Sequence, residues 1–114
     1  MLFNQTQNKK IIEKTRLANT FTEKFRGLMF EKRERFDYGL VFDFGCETQL
    51  GASIHMCFVF FPIDLVYLNE QKKVVDVKLG ITPWVLNYSP QKPSRFLVEL
   101  PIGTARSIRV GDDL

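Results

Sequence analysis

Ser53-Ile54-His55-Met56-Cys57-Phe58-Val59-Phe60-Phe61-Pro62-Ile63-Asp64-Leu65-Val66-Tyr67-Leu68 is the stretch on which the fold turns. It is almost wholly apolar, yet it carries the only histidine of the chain, one of its two cysteines and an aspartate just after a proline. A polar group taken out of water costs free energy unless it is paired, so His55, Cys57 and Asp64 each require a partner. The run is interrupted by His55, Pro62 and Asp64 and falls short of the roughly 18–20 apolar residues that span a bilayer. It reads as core strand, with Pro62 at a break or an edge because proline cannot donate to a sheet ladder.

Working outward, Asn69-Glu70-Gln71-Lys72-Lys73 has the composition of a hairpin loop. Beyond it Val75, Val77 and Leu79 alternate with Asp76 and Lys78, the period of a half-buried strand with its charges outward. Upstream, Gly39-Leu40-Val41-Phe42-Asp43-Phe44 reads as a buried strand, and so does Arg95-Phe96-Leu97-Val98-Glu99-Leu100 downstream, with Glu99 as an acid in an apolar run. Leu2-Phe3, a polar turn over 5–9, and an edge strand over 11–18 precede the single predicted helix. That helix starts at Thr20-Phe21-Thr22-Glu23, a capping box, and sets Phe21, Phe25, Leu28 and Met29 on one face. The expected fold is mainly β (β-rich α+β). It is a single domain over 1–114, an antiparallel barrel-like sheet with one short α-helix near residues 20–30.

The totals are those of an ordinary globular domain: 114 residues, 45% hydrophobic and 25% charged. Eleven phenylalanines point to an aromatic-rich core. A net charge of +3 is too weak and too interleaved with acids, as in Glu31-Lys32-Arg33-Glu34-Arg35, for a dedicated nucleic-acid binder. The N-terminus shows no basic region followed by an apolar one, so the reading is a cytoplasmic protein with Cys46 and Cys57 reduced. A Cys46–Cys57 disulfide is the alternative.

Several pieces together resemble a known family. Arg26-Gly27-Leu28-Met29 is similar to its R-G-L-M motif, Gly39-Leu40-Val41-Phe42 to its next strand, Ile54-His55-Met56 to its H-M element and Pro62-Ile63-Asp64 to its P-I-D element. Leu97-Val98-Glu99-Leu100-Pro101-Ile102-Gly103 and Gly111-Asp112 resemble its closing L-E-L-P-x-G and G-D pattern. The family is domain of unknown function 192, and the resemblance runs from about Thr15 to Leu114. It implies a compact β-rich domain with a short helix. It implies no activity, and the two cysteines lie outside its pattern.

For chemistry, His55 and Cys57 would face one side if Ser53–Phe61 were a strand, but a zinc site wants three or four such ligands and no C-x-x-C spacing exists. Asp64 should accept from backbone amides or pair with an arginine, Arg26 being the expected partner. Trp84, with Tyr67 and Tyr88, offers stacking surface. The reading is therefore a ligand- or partner-binding domain, its site an apolar groove near His55 and Asp64 with Arg26, Trp84 and Glu99 around it. No catalytic residue, metal or cofactor is assigned. The partner is an unspecified small molecule or protein, without a membrane, and the chain is a monomer or weak homodimer. An alternative is a small hydrolase or metal-assisted enzyme using Asp64, Glu99 and His55. A second is weak nucleic-acid binding through Lys9, Lys10, Lys14, Arg16, Lys32, Arg33 and Arg35.

Overall fold

The computed structural model describes residues 1–18, 20, 23 and 27–114. Seven strands carry the fold: β1 (Leu2–Asn4), β2 (Lys9–Ile12), β3 (Thr15–Ala18), β4 (Gly39–Thr48), β5 (Ile63–Leu68), β6 (Val74–Ile81) and β7 (Ser94–Pro101). β1 and β2 form a separate antiparallel hairpin, and the other five make one sheet in the order β3-β4-β7-β5-β6.

The chain is mainly β, as its strand patterns predict, but the barrel-like closure is not formed. β3 and β6 are the two edges of an open sheet, and β3 runs parallel to β4 while the other neighbours are antiparallel. The stretch predicted as one edge strand over 11–18 is split between the hairpin and the sheet edge. Cys46 and Cys57 are both free thiols, so the disulfide alternative falls away. Most of the predicted helix, with Phe21, Phe25 and Arg26, lies outside the described residues. Its cap is nevertheless seen: Glu23 N donates to Thr20 Oγ1 (3.0 Å), Thr20 N donates to Glu23 Oε1 (3.3 Å), and Gly27 N donates to Glu23 O (2.9 Å).

β5 is buried at every position because it lies between β7 and β6 and both faces of the sheet are covered. Ile63, Leu65 and Tyr67 join Leu40, Phe42 and Leu97 on the first face, beneath Leu28, Phe36, Ala52, Met56, Val59 and Phe61. Val66, Leu68, Val98 and Leu100 lie on the second face, against Leu2, Ile11 and Ile12 of the hairpin and Ala105 and Ile108 near the C-terminus. Gly39 makes that second layer fit. A Cβ there would lie 3.2 Å from Leu100, 3.3 Å from Val98 and 3.4 Å from Ile12 side-chain carbons.

The 53–68 stretch divides at Pro62. Only Ile63–Leu68 is a strand, and 53–61 is an irregular segment covering the first face and bridged, outside the sheet, by Ile54 to Tyr88. The hairpin predicted at 69–73 is present, closed by the Asn69 carboxamide, whose Oδ1 accepts from Gln71 N and Lys73 N, both at 3.0 Å.

β6 departs from simple alternation. Leu68 pairs with Val74 and Tyr67 with Asp76, so Val75 is an extra residue and the pattern beyond it is inverted. Asp76 therefore sits 7% exposed on the face of Tyr67, while Leu79 is 49% exposed. The cost of burying Asp76 is offset by hydrogen bonds from Tyr88 Oη (2.7 Å) and Gln91 N (3.3 Å). Burial, then that bond, push the Tyr88 hydroxyl up to about 12.

Candidate functional site

Of the five residues predicted to share a groove, Arg26 lies outside the described residues, Asp64 and Glu99 lie on opposite faces of the sheet, and His55 and Trp84 lie on two adjoining segments over the first face. Asp64 lies on the second face, in step with Val66 and Leu68. Its Oδ1 accepts from Gly80 N (2.9 Å), and its Oδ2 accepts from Gly103 N (2.9 Å) and Ala105 N (3.2 Å). Backbone amides, not an arginine, satisfy it, and Arg26 lies outside the described residues. Three charge-assisted bonds tie the β6 end and the 102–105 turn to β5.

Glu99 is on β7 opposite Leu65, in step with Leu97, and so points to the first face. Asp64 and Glu99 thus project from opposite sides of one sheet and do not form a carboxylate pair. Glu99 is 5% exposed, and its Oε1 has no hydrogen-bond partner among the described residues. The buried hydroxyl of Tyr67 donates instead to Ala52 O (2.9 Å). Desolvation pushes the Glu99 carboxyl up to about 8, so it holds its proton at neutral pH. An acceptor left in this way costs about 1–3 kcal/mol.

His55 is half-buried, and its Nδ1 accepts from Cys57 N (3.2 Å). Because 53–61 is not a strand, His55 and Cys57 are not same-face strand neighbours, and the histidine closes a local turn. No group of three or more metal-binding side chains occurs among the described residues.

Trp84 does belong to a surface, and its companions were not legible as such. Segments 54–60 and 82–88 are laced together: Met56 N donates to Val85 O (2.6 Å), Trp84 N donates to Met56 O (2.9 Å), and Ile54 and Tyr88 exchange bonds at 2.9 Å. Phe30 N donates to Phe58 O (2.8 Å), which brings in the turn after the predicted helix. On this frame Phe30, Phe58, Phe60 and Trp84 stand 59%, 41%, 57% and 48% exposed. The Phe30–Phe58 and Phe58–Trp84 centroids are both 4.9 Å apart, and Phe60–Trp84 is 5.9 Å.

The backbone beneath them is unusual. Phe30, Phe58 and Trp84 have φ of +62°, +59° and +67°. That left-handed region costs a side-chain-bearing residue about 1–2 kcal/mol, and for bulky residues it is rare. Hydrophobicity alone assigns Phe58 and Phe60 to the core with Val59 and Phe61. The irregular backbone instead turns Val59 and Phe61 in and both neighbours out.

These elements define a small domain built on one open five-stranded β sheet covered on both faces, with aromatic rings exposed over the first. The chain belongs to the DUF192 family, described as uncharacterized ACR, whose model matches residues 2–114. It is 39% identical over 110 residues to UPF0127 protein TK1120 of Thermococcus kodakarensis, covering 96% of this chain and 68% of that one. It is also 39% identical over 115 residues to UPF0127 protein PF1050 of Pyrococcus furiosus, covering 99% and 95%. Neither name assigns an activity. A crystal structure of a putative transcription regulator from Sinorhizobium meliloti shares the fold, with a TM-score of 0.77 and 22% identity over 87% of this chain and 78% of that one. No helix among the described residues is long and apolar enough to cross a membrane.

Proposed function

We propose that this domain is a partner-binding module whose recognition surface is formed by Phe30, Phe58, Phe60 and Trp84, and that its partner is a protein segment presenting aliphatic side chains. The observation that carries this is the strain. Three of the four large rings are held outward on left-handed backbone, an arrangement that costs stability and that core packing does not call for. Exposed apolar surface gathered in one place is the usual mark of an interaction site.

The shape of the surface supports a protein partner. Trp84 meets Phe58 at 64° and Phe60 at 73°, and Phe30 meets Phe60 at 51°. Phe30 and Phe58 alone are close to parallel, at 27°, and the steep setting of Trp84 and Phe60 against them makes ridges and clefts suited to interdigitating side chains. The name of the Sinorhizobium protein, a putative transcription regulator, raises DNA as the competing partner for this chain. In this chain the basic set that would serve DNA is partly engaged. Lys10 pairs with Glu13 (3.2 Å) and Lys14 with Asp37 (2.7 Å). His55 supports the loop beneath the rings, and Asp64 and Glu99 stand apart from them. The free thiols suit a reducing compartment.

The test is to select peptides from a displayed random library against the folded domain and map their footprint by amide NMR. Peptides rich in Leu, Ile or Val that perturb Phe30, Phe58, Phe60 and Trp84, and that bind at least tenfold more weakly to Trp84→Gly, are the expected result. Peptides that map to another surface, or that bind the variant equally well, overturn it.

A further inference from the structure

The two edges of the sheet are not alike. β3 offers four residues, whereas β6 runs for eight, from Val74 to Ile81. The outer side of β6 is taken at its first residue only. Val74 N donates to Asp112 O and Gly111 N donates to Val74 O, both at 2.8 Å, and no backbone bond beyond the β5 ladder reaches residues 75–81 among the described residues. Near the far end Gly80, with φ of +63°, interrupts the extended backbone. The open stretch is therefore 75–79, with Val77 at its middle. Asp76 and Lys78 flank Val77 on the first face, opposite Tyr67 and Leu65, and Val77 lies on the second, opposite Val66. Both charges retain unused capacity. Asp76 Oδ2 takes the bonds from Tyr88 and Gln91, while its Oδ1 accepts from nothing among the described residues and still reaches solvent. Lys78 is exposed and has no ion-pair partner among the described residues. A cleft of about 270 Å³ between the Lys78–Ile81 end of the strand and Val85 and Tyr88 leaves the first-face flank of the edge open.

We infer that β6 is a dimer edge, on which a second copy of this chain adds its own β6 antiparallel, about a two-fold axis at Val77. An uncovered strand edge is a template for another strand, and this one is complementary to itself. Directly opposite residues of an antiparallel pair project from the same face, so the axis passes through a residue rather than between two. An axis at Val77 sets Asp76 against Lys78 of the second copy, and does so twice because the contact is symmetric. An axis at Asp76 or at Lys78 sets like charge against like, and one at Leu79 sets Lys78 against Gly80 and leaves the charges unmatched. The charges therefore choose the same register as the free length of the edge, which is centred on Val77 between the bonded Val74 and the left-handed Gly80. A short strand overlap is a small interface, so the dimer is weak and forms at high concentration. The contact uses none of the four exposed rings, and it stands apart from the aromatic surface.

The test is sedimentation equilibrium of the whole domain from micromolar to millimolar concentration, with amide NMR over the same dilution. The average mass should rise from 13.3 kDa, that of one chain, toward twice that value, and the amides that shift should be those of residues 75–79. Lys78→Glu, at an exposed position, turns two opposite-charge pairs into two like-charge pairs and should weaken association by roughly tenfold. Lys78→Arg, which keeps the charge, should associate as wild type does. The mass of one chain at every concentration overturns the proposal. So do dilution shifts centred on Phe30, Phe58, Phe60 and Trp84, and so does Lys78→Glu association as tight as that of wild type. The wild-type mass and shifts decide the matter by themselves if a variant fails to fold.

Discussion

Two buried carboxylates on opposite faces of the central sheet, Asp64 and Glu99, are treated in opposite ways. On the second face, Asp64 is surrounded by the amides of Gly80, Gly103 and Ala105 and works as a clasp between β5, β6 and the 102–105 turn. On the same side of the molecule, Asp112 Oδ2 accepts from Asn4 Nδ2 (2.8 Å), Gln7 Nε2 (2.8 Å) and Arg109 N (2.9 Å), fastening the C-terminus to the first hairpin. On the first face, Glu99 has neither amide nor cation at Oε1 among the described residues, and the loops above it hold aromatic rings on strained backbone. One face is closed by satisfied polar networks, and the other retains an open acceptor and exposed apolar surface. The surface proposed for binding lies over the first face, away from the networks of the second.

That contrast is broken or sharpened by substitution. The largest effect should come from Asp64→Ala, which strands three amide donors at once. At 1–3 kcal/mol for each unsatisfied group, a loss on the order of 5 kcal/mol in denaturant unfolding is expected. A loss under about 1 kcal/mol would mean that Asp64 is no clasp.

Next is Glu99→Gln. The folded carboxyl keeps its proton up to about 8 while the unfolded one releases it near the ordinary value of 4.5. Between those two values the native state binds the extra proton, so wild-type stability falls as pH rises and levels off above 8. The variant has no such group. It should gain on the order of 5 kcal/mol on wild type between pH 4 and pH 9. Parallel unfolding free energies across that range would show that Glu99 is paired in solution.

Asp112→Asn should act in the reverse direction. The Arg109 amide, and then the Asn4 side chain, hold the Asp112 carboxyl below its ordinary range. Its stabilisation is therefore present above the unfolded value and lost as pH falls through the lower, folded one. The variant should be about 1 kcal/mol less stable at pH 7 and converge on wild type in acid. A difference that persists unchanged into acid removes the charge from the explanation.

The smallest effect on stability is expected for Trp84→Gly and Phe58→Gly. Relief of a left-handed side-chain-bearing residue, about 1–2 kcal/mol, opposes the lost ring contacts and the added chain entropy of glycine. A net change within about 1 kcal/mol should result, against the 3–5 kcal/mol typical of truncating a packed aromatic. A thermal melt showing a core-sized loss would assign these rings to packing.

How much of this was readable in advance depended on the range of the interaction. The strands at 39–44 and 95–100, a strand within 53–68, the hairpin at 69–73 and the Thr20–Glu23 cap are local patterns, and they were legible. So was the family, through short motifs. The partners of Asp64 were legible in kind, since a carboxylate in an apolar strand must find donors, but not in identity, because Gly80 and Gly103 are distant in sequence. The inversion at Asp76 was hidden because the bulge at Val75 reverses the residues that follow it, until a second irregularity before Ile81 restores the facing. Phe30 and Phe58 were hidden because nothing in a side chain announces that its backbone will be left-handed.

The sequence by itself determined a single β-rich domain, its main strands, its turn chemistry and the fact that His55, Asp64 and Glu99 would need explaining. Period, capping and the cost of buried charge are properties of neighbours along the chain. Only the tertiary structure decided that the sheet stays open, that Asp64 and Glu99 leave it on opposite faces, and that one is clasped while the other lacks a donor. Those outcomes depend on register and on which distant amide arrives at which carboxylate, and no local pattern contains them.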